Sequence, residues 1–229
     1  MRLEVIASSL EDAVEAEAGG ADRIELVRDL AAGGLTPPLD LVDAVLSRVH
    51  IPIRVMVRHT ISHVVSHDAD RRQIVASAKA LADRPVDGLV CGAVVDGRVD
   101  ASLVRQILVA SGGKRLTFHR AFESVRDPIA AVRDLNGLER VDRVLTNGGA
   151  GAWPERFARL LEWSDARPPH LQFILGGGVT LELLGTLPAI RGFTEIHVGR
   201  AVREPATDDG RVVAGKVEAI AAVVHAMPV

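Results

Sequence analysis

The sequence predicts an α/β fold, a (β/α)8 TIM barrel with a polar-lined mouth at the carboxyl ends of its strands. Three observations favour this fold. Short apolar runs recur roughly every 25 to 30 residues, a compact repeat for such a barrel. Amphipathic helical segments separate these runs. Within most runs polar residues occupy every second position, so each strand has one polar and one apolar face. At 229 residues the chain is expected to form a single domain over residues 1–229.

Eight apolar runs are assigned to barrel strands. They begin near Arg2, Ala21, Ile51, Val86, Lys114, Arg140, Leu171 and Phe193. The positions assigned to the barrel interior are Glu4, Arg23, Glu25, Arg54, Arg58, Asp87, Cys91, Arg115, Thr117, His119, Arg143, Asn147, Gln172, Glu195 and His197. A doubly wound open sheet would instead need apolar residues on both faces of its central strands, because helices cover both sides of such a sheet.

Helix signals occupy the intervals between the predicted strands. The segments are 9–18, 37–49, 68–83, those beginning at Asp127-Pro128, Trp153-Pro154 and Thr180, and a last one over about 211–227. Ser9 with Asp12 three residues later is typical of a capping box, and Pro128 suits the first helical position. Strict alternation of strands and helices implies parallel strands joined by right-handed crossovers.

Net charge, aromatic content and cysteine count argue against several classes of function. A formal net charge of -3 and an aromatic content of 3% give no basis for binding nucleic acid or a membrane surface. The one cysteine, Cys91, excludes an internal disulfide and fits a reducing compartment. Glu4 interrupts the first apolar stretch, so no signal peptide is predicted and we expect a cytoplasmic protein. Its expected partner is a small-molecule or metal ligand, and self-association into a homo-oligomer is a further expectation.

Polar residues at the strand ends are candidates for catalysis, because barrel enzymes carry their sites there. The candidates are Glu4, Glu25, Arg58, His119 and Arg120. Carboxylates and imidazoles can transfer protons, and guanidinium groups can hold an anion. The alternative is that the acids and arginines of the interior only neutralise one another. A buried ion pair is weak evidence of stabilisation, because desolvation offsets much of the Coulomb attraction.

Two glycine-containing turns follow the last two predicted strands. Many barrels bind phosphate at these loops, where glycine lets the backbone approach an anion closely. The residues assigned to phosphate or anion binding are Gly177, Gly178, Gly199 and Arg200. The alternative is that both segments are only tight turns.

The pattern also offers candidate metal ligands. They are Cys91, His119 and His197, because imidazole and thiolate groups bind transition metals. The alternative for Cys91 is a small buried side chain without a ligand role. A second candidate set is His59, His63 and His67, whose spacing of four would place them on one helix face. That segment is predicted to be a loop, with a helix starting only at Asp68.

Four segments of the chain resemble the CutC family, which is named for copper homeostasis. They are residues 20–26, 33–37, 117–122 (Thr-Phe-His-Arg-Ala-Phe) and 143–148. The similarity extends in order across nearly the whole chain and implies a cytoplasmic barrel that handles copper. The positions that fit the family pattern are Glu4, Glu25, Arg58, His119, Arg120 and His197.

The chain departs from the family pattern in two places. Members proposed to bind Cu(I) have cysteines where this chain has Ile6, Ala7 and Val27, and thiolates are the ligands that select Cu(I). After Arg58, the usual family loop of glycines and an acid is replaced by His-Thr-Ile-Ser-His. The prediction is a CutC-like copper homeostasis protein with copper as its bound ion. The alternative is a barrel enzyme that acts by acid/base chemistry on a small phosphorylated or carboxylated metabolite.

Overall fold

Eight parallel strands close into a barrel in the computed structural model, which describes residues 1–65, 67–187 and 193–228. The strands, β1 to β8 in chain order, are Arg2–Ala7, Arg23–Leu26, Ile53–Met56, Gly88–Cys91, Arg115–Phe118, Val141–Thr146, Gln172–Leu175 and Phe193–Val198. Each strand pairs with the next, and β8 closes the barrel on β1. The predicted (β/α)8 fold is confirmed.

Helices cover the outside of the barrel. They are α1 to α8, over Leu10–Ala18, Leu39–Arg48, Asp68–Ala80, Ala101–Ala110, Pro128–Asn136, Trp153–Asp165, Leu181–Leu184 and Ala214–Ala226. The Ser9 hydroxyl accepts the N–H of Asp12 at 3.1 Å, as its capping position predicts. Helix α8 begins later than predicted, because Arg211–Val212 pairs with Arg203–Glu204 in a short antiparallel hairpin. None of the described helices is long and apolar enough to cross a membrane.

Charged side chains of the predicted inward face meet inside the barrel. Arg23 on β2 forms ion pairs with Glu4 on β1, at 2.5 Å, and with Glu195 on β8. Arg143 on β6 pairs with the same Glu195 at 2.9 Å. All four side chains are buried. Since each charge lies against an opposite one, Coulomb attraction and hydrogen bonds offset the cost of removing these groups from water.

Arg54 on β3 is the centre of a second group of contacts and is fully buried, at 0% exposure. Its guanidinium donates to Asp87 at 2.9 Å, to the Thr117 hydroxyl at 2.7 Å and to both oxygens of Asp142 at 2.7 Å. Asp142 also contacts Arg143, so it links the two groups. The strand alternation did not predict that Asp142 contacts these arginines, because it assigns the inward position of β6 to the next residue, Arg143.

The predicted alternation is wrong on β4. In the sheet register Gly88 and Val90, rather than Asp87 and Cys91, align with inward residues of β3. Cys91 lies in the large hydrophobic cluster that includes the helix residues. Both faces of this strand are apolar. The inward parity was assigned from Asp87, which precedes the strand and does not belong to it. Arg115, also assigned to the interior, is exposed at the first position of β5.

Replacing Arg54 with methionine should destabilise the fold strongly. The substitution R54M keeps an apolar side chain in the barrel but removes the ion-pair partner of Asp87 and leaves Asp142 with Arg143 alone, and removal of one member of a buried ion pair costs about 3 to 5 kcal/mol. Urea denaturation followed by circular dichroism would measure the change. In the matched control R84M, which breaks the exposed Arg84–Asp43 pair, stability should change little. Equal effects of the two substitutions would contradict this account of the interior.

Candidate functional site

A cavity of about 1000 Å³ opens at the carboxyl ends of the strands. The strand-end residues that line it are Ile6, Glu25, Met56, Arg58, His119, Leu145, Asn147 and His197. The loops beyond the strands contribute further lining, including the predicted residues Arg120, Gly177, Gly178, Gly199 and Arg200. Thus most of the predicted site residues lie around one cavity. Glu4 is buried next to it and contacts His197, whereas Cys91 is not among the residues that line it.

Glu4, Glu25 and His197 form a compact group at the floor of this cavity. The Nδ1 atom of His197 lies 2.7 Å from Oε1 of Glu4 and 3.6 Å from Oε2 of Glu25. One ligand atom from each residue falls within 4.8 Å of the other two, an arrangement that could hold a metal ion. Oε2 of Glu25 is buried and has no hydrogen-bond partner among the residues that the structure describes. A buried carboxylate oxygen without a partner is costly, so it points to a ligand or a bound proton.

The three groups titrate differently because their neighbours differ. Burial, reinforced by the nearby Glu4 carboxylate, raises the pKa of Glu25 to about 7, against the attraction of His197 and Arg23. Burial also opposes ionisation of Glu4, yet Arg23 and His197 hold its pKa well below the usual value for glutamate. For His197 burial disfavours the cation, but Glu25 and Glu4 outweigh burial and raise its pKa. Two adjacent carboxyl groups therefore differ in protonation near neutral pH, the arrangement that separates an acid from a base.

His119 is held as a neutral imidazole with a free N–H. Its Nδ1 atom accepts the backbone N–H of Ala121 at 3.0 Å, so the ring proton is on Nε2. Burial, helped by His63 and Arg58, lowers the pKa of His119 well below its usual value. Nε2 is buried and has no partner in the described part of the chain. This residue can thus donate a hydrogen bond at the cavity.

Arg58 contacts backbone rather than carboxylates. Its Nε donates to the Thr60 carbonyl and its Nη1 to the Gly33 carbonyl, both at 2.9 Å, and its Nη2 contacts the Ile61 carbonyl. The Thr36 hydroxyl in turn accepts the backbone N–H of Arg58 at 2.8 Å. Arg58 therefore ties the loops after β2 and β3 together while keeping its positive charge next to the cavity.

The other predicted arginines of the mouth are paired with acids. Arg120 contacts Glu123 through Nη2 at 2.8 Å, and Glu123 also accepts the backbone N–H of Asn147 at 2.8 Å. Arg200 forms two hydrogen bonds of 2.7 Å with Asp208 and its side chain is largely exposed. Both guanidinium groups line the cavity, but each carries a neutralising carboxylate.

The thiol of Cys91 is not grouped with the other predicted metal ligands, although the Cys91 carbonyl accepts the backbone N–H of His119 at 3.1 Å. Cys91 lies in the outer hydrophobic cluster at 1% exposure, and burial raises the pKa of its thiol to about 12. The group that could hold a metal ion contains His197 together with Glu4 and Glu25. Of the three predicted metal ligands Cys91, His119 and His197, only His197 belongs to this group. The physical reason is the reversed parity of β4, which turns Cys91 away from the barrel axis.

His59, His63 and His67 do not share a helix face, because residues 57–65 and 67 precede α3 and are not helical. His59 contacts the Ser77 hydroxyl at 2.9 Å, whereas His63 lines the cavity with its ring centroid 5.2 Å from that of His119. Sequence reasoning did not assign His63 to the mouth. Its signal was weak, since a histidine in an irregular loop carries no periodicity. Arg156 in the first turn of α6 also lines the cavity and was missed, because the sequence analysis took its candidates from strand ends and glycine turns rather than from helices.

Comparison with known proteins identifies the family. Residues 1–202 match the model of the CutC family. A curated protein of Homo sapiens named copper homeostasis protein cutC homolog is 36% identical over 196 residues, which cover 85% of this chain and 71% of that protein. The chain belongs to the CutC family. A protein of Rhizobium meliloti named family protein CutC is 35% identical over 210 residues, 90% of this chain and 84% of its own length.

Solved structures share the fold of this CutC family member. The putative copper homeostasis protein CutC from Streptococcus agalactiae has a TM-score of 0.78 at 24% identity, covering 87% of this chain and 98% of that one. Phosphoribosyl anthranilate isomerase from Thermococcus kodakaraensis has a TM-score of 0.63 at 17% identity, with 99% of each chain covered. The segment that matches the CutC family contains all eight strands, and it includes every predicted site residue.

Neutralising Glu25 should change how stability depends on pH. The folded-state pKa of about 7 lies above the unfolded value of 4.5, so the penalty for a buried carboxylate is absent below pH 4.5 and complete above pH 7. Relative to the wild type, E25Q should therefore gain stability as the pH rises from 5 to 8, on the order of 3 kcal/mol. Urea denaturation at several pH values would measure this difference. A pH-independent difference between the two proteins would show that Glu25 is ionised throughout.

Proposed function

We propose that this CutC family member acts in copper homeostasis by binding a copper ion with Glu4, Glu25 and His197. The observation that carries the proposal is the grouping of three buried ligand atoms within 4.8 Å, one of which, Oε2 of Glu25, lacks any hydrogen-bond partner among the described residues. Two of the three residues line the cavity, so an ion can reach them from solvent. The human relative carries copper homeostasis in its name, which supports copper as the metal.

The ligand types favour divalent copper over Cu(I). Imidazole and carboxylate groups bind Cu(II), which is also the divalent first-row ion that nitrogen and oxygen sites bind most tightly. Cu(I) prefers sulfur, and the chain has one cysteine, which lies in the outer hydrophobic layer. At the positions where the family resemblance leads us to expect cysteines, Ile6 and Val27 pack in a small apolar cluster inside the barrel. These residues do not fit a thiolate site.

The neighbouring charges affect the affinity of such a site for a metal ion. Arg23 neutralises part of the charge on Glu4, while Glu25 holds a proton over part of the neutral range. A metal ion must displace that proton and the hydrogen bond between His197 and Glu4. We therefore propose that copper affinity rises as the pH increases from 6 to 8, because ligands bind metal in their deprotonated form.

Copper binding should depend on Glu25 and not on Cys91. Metal-free protein would be titrated with Cu(II) by calorimetry, with electron paramagnetic resonance to report nitrogen and oxygen coordination. We expect E25Q to weaken binding by at least about tenfold, because loss of even an outer partner of a metal ligand costs about 10- to 100-fold, whereas C91S should bind as the wild type does. E25Q keeps the size of the side chain, and its folding can be checked by circular dichroism.

Two results would contradict the proposed site. One is wild-type affinity in E25Q and in H197N, which would place the ion elsewhere. The other is a loss of binding in C91S together with unchanged binding in E25Q, which would instead favour the thiol as the ligand. A parallel titration with Zn(II) tests whether the preference for copper follows the usual order of divalent ions.

A further inference from the structure

The side of the mouth near β5 and β7 has hydrogen-bond donors without acceptors. The Nε2–H of His119 is buried, with the residue at 3% exposure, and has no partner in the described part of the chain. The backbone N–H groups of Gly177 and Gly178 also donate to no residue that the structure describes. The buried donor of His119 implies an acceptor that arrives with a ligand, and the N–H groups of the more exposed glycine turn are available to the same acceptor. We propose that this side of the mouth binds the anionic group, phosphate or carboxylate, of a small metabolite through His119, Arg120, Gly177 and Gly178.

The glycine turn presents its backbone to the cavity. Gly177 and Gly178 have φ values of +89° and +94°, a left-handed conformation that favours glycine. A β-carbon at Gly177 would lie 3.2 Å from the Arg120 guanidinium, so this arginine lies directly over the turn. A β-carbon at Gly178 would meet no atom within 4 Å, which leaves open space for a ligand. Successive backbone N–H groups in such turns are known anion-binding concavities.

The charge of the cavity wall also favours an anion. The cationic lining residues are Arg58, Arg120, Arg156 and Arg200, and the acidic ones are Glu25 and Asp208; with Glu123, which pairs with Arg120, the arginines still outnumber the carboxyl groups. Arg58 donates to backbone carbonyls and forms no ion pair with a carboxylate among the described residues. A cleft with an excess of positive charge concentrates anions.

The volume of the cavity is consistent with a molecule larger than a bare ion. At about 1000 Å³ the mouth is at the upper end of the range for small-molecule sites. An anionic group held between His119 and the Gly177 turn would leave the rest of the metabolite over the floor, where Glu25 and His197 lie. This arrangement provides the substrate-anchoring part that a barrel enzyme acting on phosphorylated or carboxylated compounds would need. The inference does not depend on copper binding.

Calorimetric titration of metal-free protein would test the anion site, with glycerol 3-phosphate and succinate as separate probes at constant ionic strength in chloride. Two substitutions of His119 separate its role as acceptor of the Ala121 N–H from its role as donor through Nε2. H119N can still accept the N–H of Ala121 but loses the donor at Nε2, whereas H119Q can place an amide N–H near the Nε2 position. We expect H119N and R120Q to weaken binding about tenfold or more, the effect of losing a hydrogen bond to a charged group. H119Q should restore part of the affinity.

The control is R98Q, which changes an exposed arginine paired with Asp134, and it should bind as the wild type does. The probe that binds more tightly identifies the anion as phosphate or carboxylate. The absence of saturable binding of both probes at about 1 mM would overturn the proposal. Retained binding in H119N and R120Q, together with a loss in R200Q, would also overturn it and place the anion at the β8 loop. If H119N does not fold, R120Q alone still decides, because the Arg120 side chain is half-exposed and is not part of the core.

Discussion

The ion pairs inside the barrel are the constraint on which the rest of the structure depends. A parallel barrel normally fills its axis with branched aliphatic side chains. Here Arg23 lies between Glu4 and Glu195, and Arg54 is surrounded by Asp87 and Asp142. Each of these charges is tolerable only because other strands bring an opposite charge to it: Glu4 lies on the strand next to Arg23, whereas Asp142 reaches Arg54 from across the barrel. The closed sheet and the charged interior therefore support each other.

The same ion pairs determine how Glu4 and Glu25 are protonated at the floor of the cavity. Glu4 is engaged by Arg23, so its carboxylate stays ionised and orients His197. Glu25 is left with an oxygen that no described residue satisfies, and burial keeps it close to protonation at neutral pH. Two glutamates on adjacent strands thus differ in character because only one of them receives an arginine. The floor carries carboxyl groups and suits a cation, whereas the wall presents the N–H of His119, unpaired among the described residues, and the guanidinium of Arg120, hydrogen-bond donors that suit an anion.

The sequence predicted the fold and most of the mouth because both follow from alternation. Glu25, His119 and His197 lie at strand ends on a clear polar parity, and all three line the cavity. Cys91 was misplaced because β4 is apolar on both faces and its parity cannot be read. The partners of Arg120 and Arg200 depend on loop conformation, which periodicity does not describe. The metal group was also beyond the sequence, because spacing along the chain does not show that three strands bring their side chains within 4.8 Å.

Arg58 has a consequence for how the entrance can move. One guanidinium holds the carbonyl of Gly33 in the loop after β2 and those of Thr60 and Ile61 in the loop after β3. Neither loop can swing outward alone without breaking bonds that also restrain the other. The loops after β2 and β3 are therefore restrained as one unit, and this side of the entrance can widen only if both loops move together.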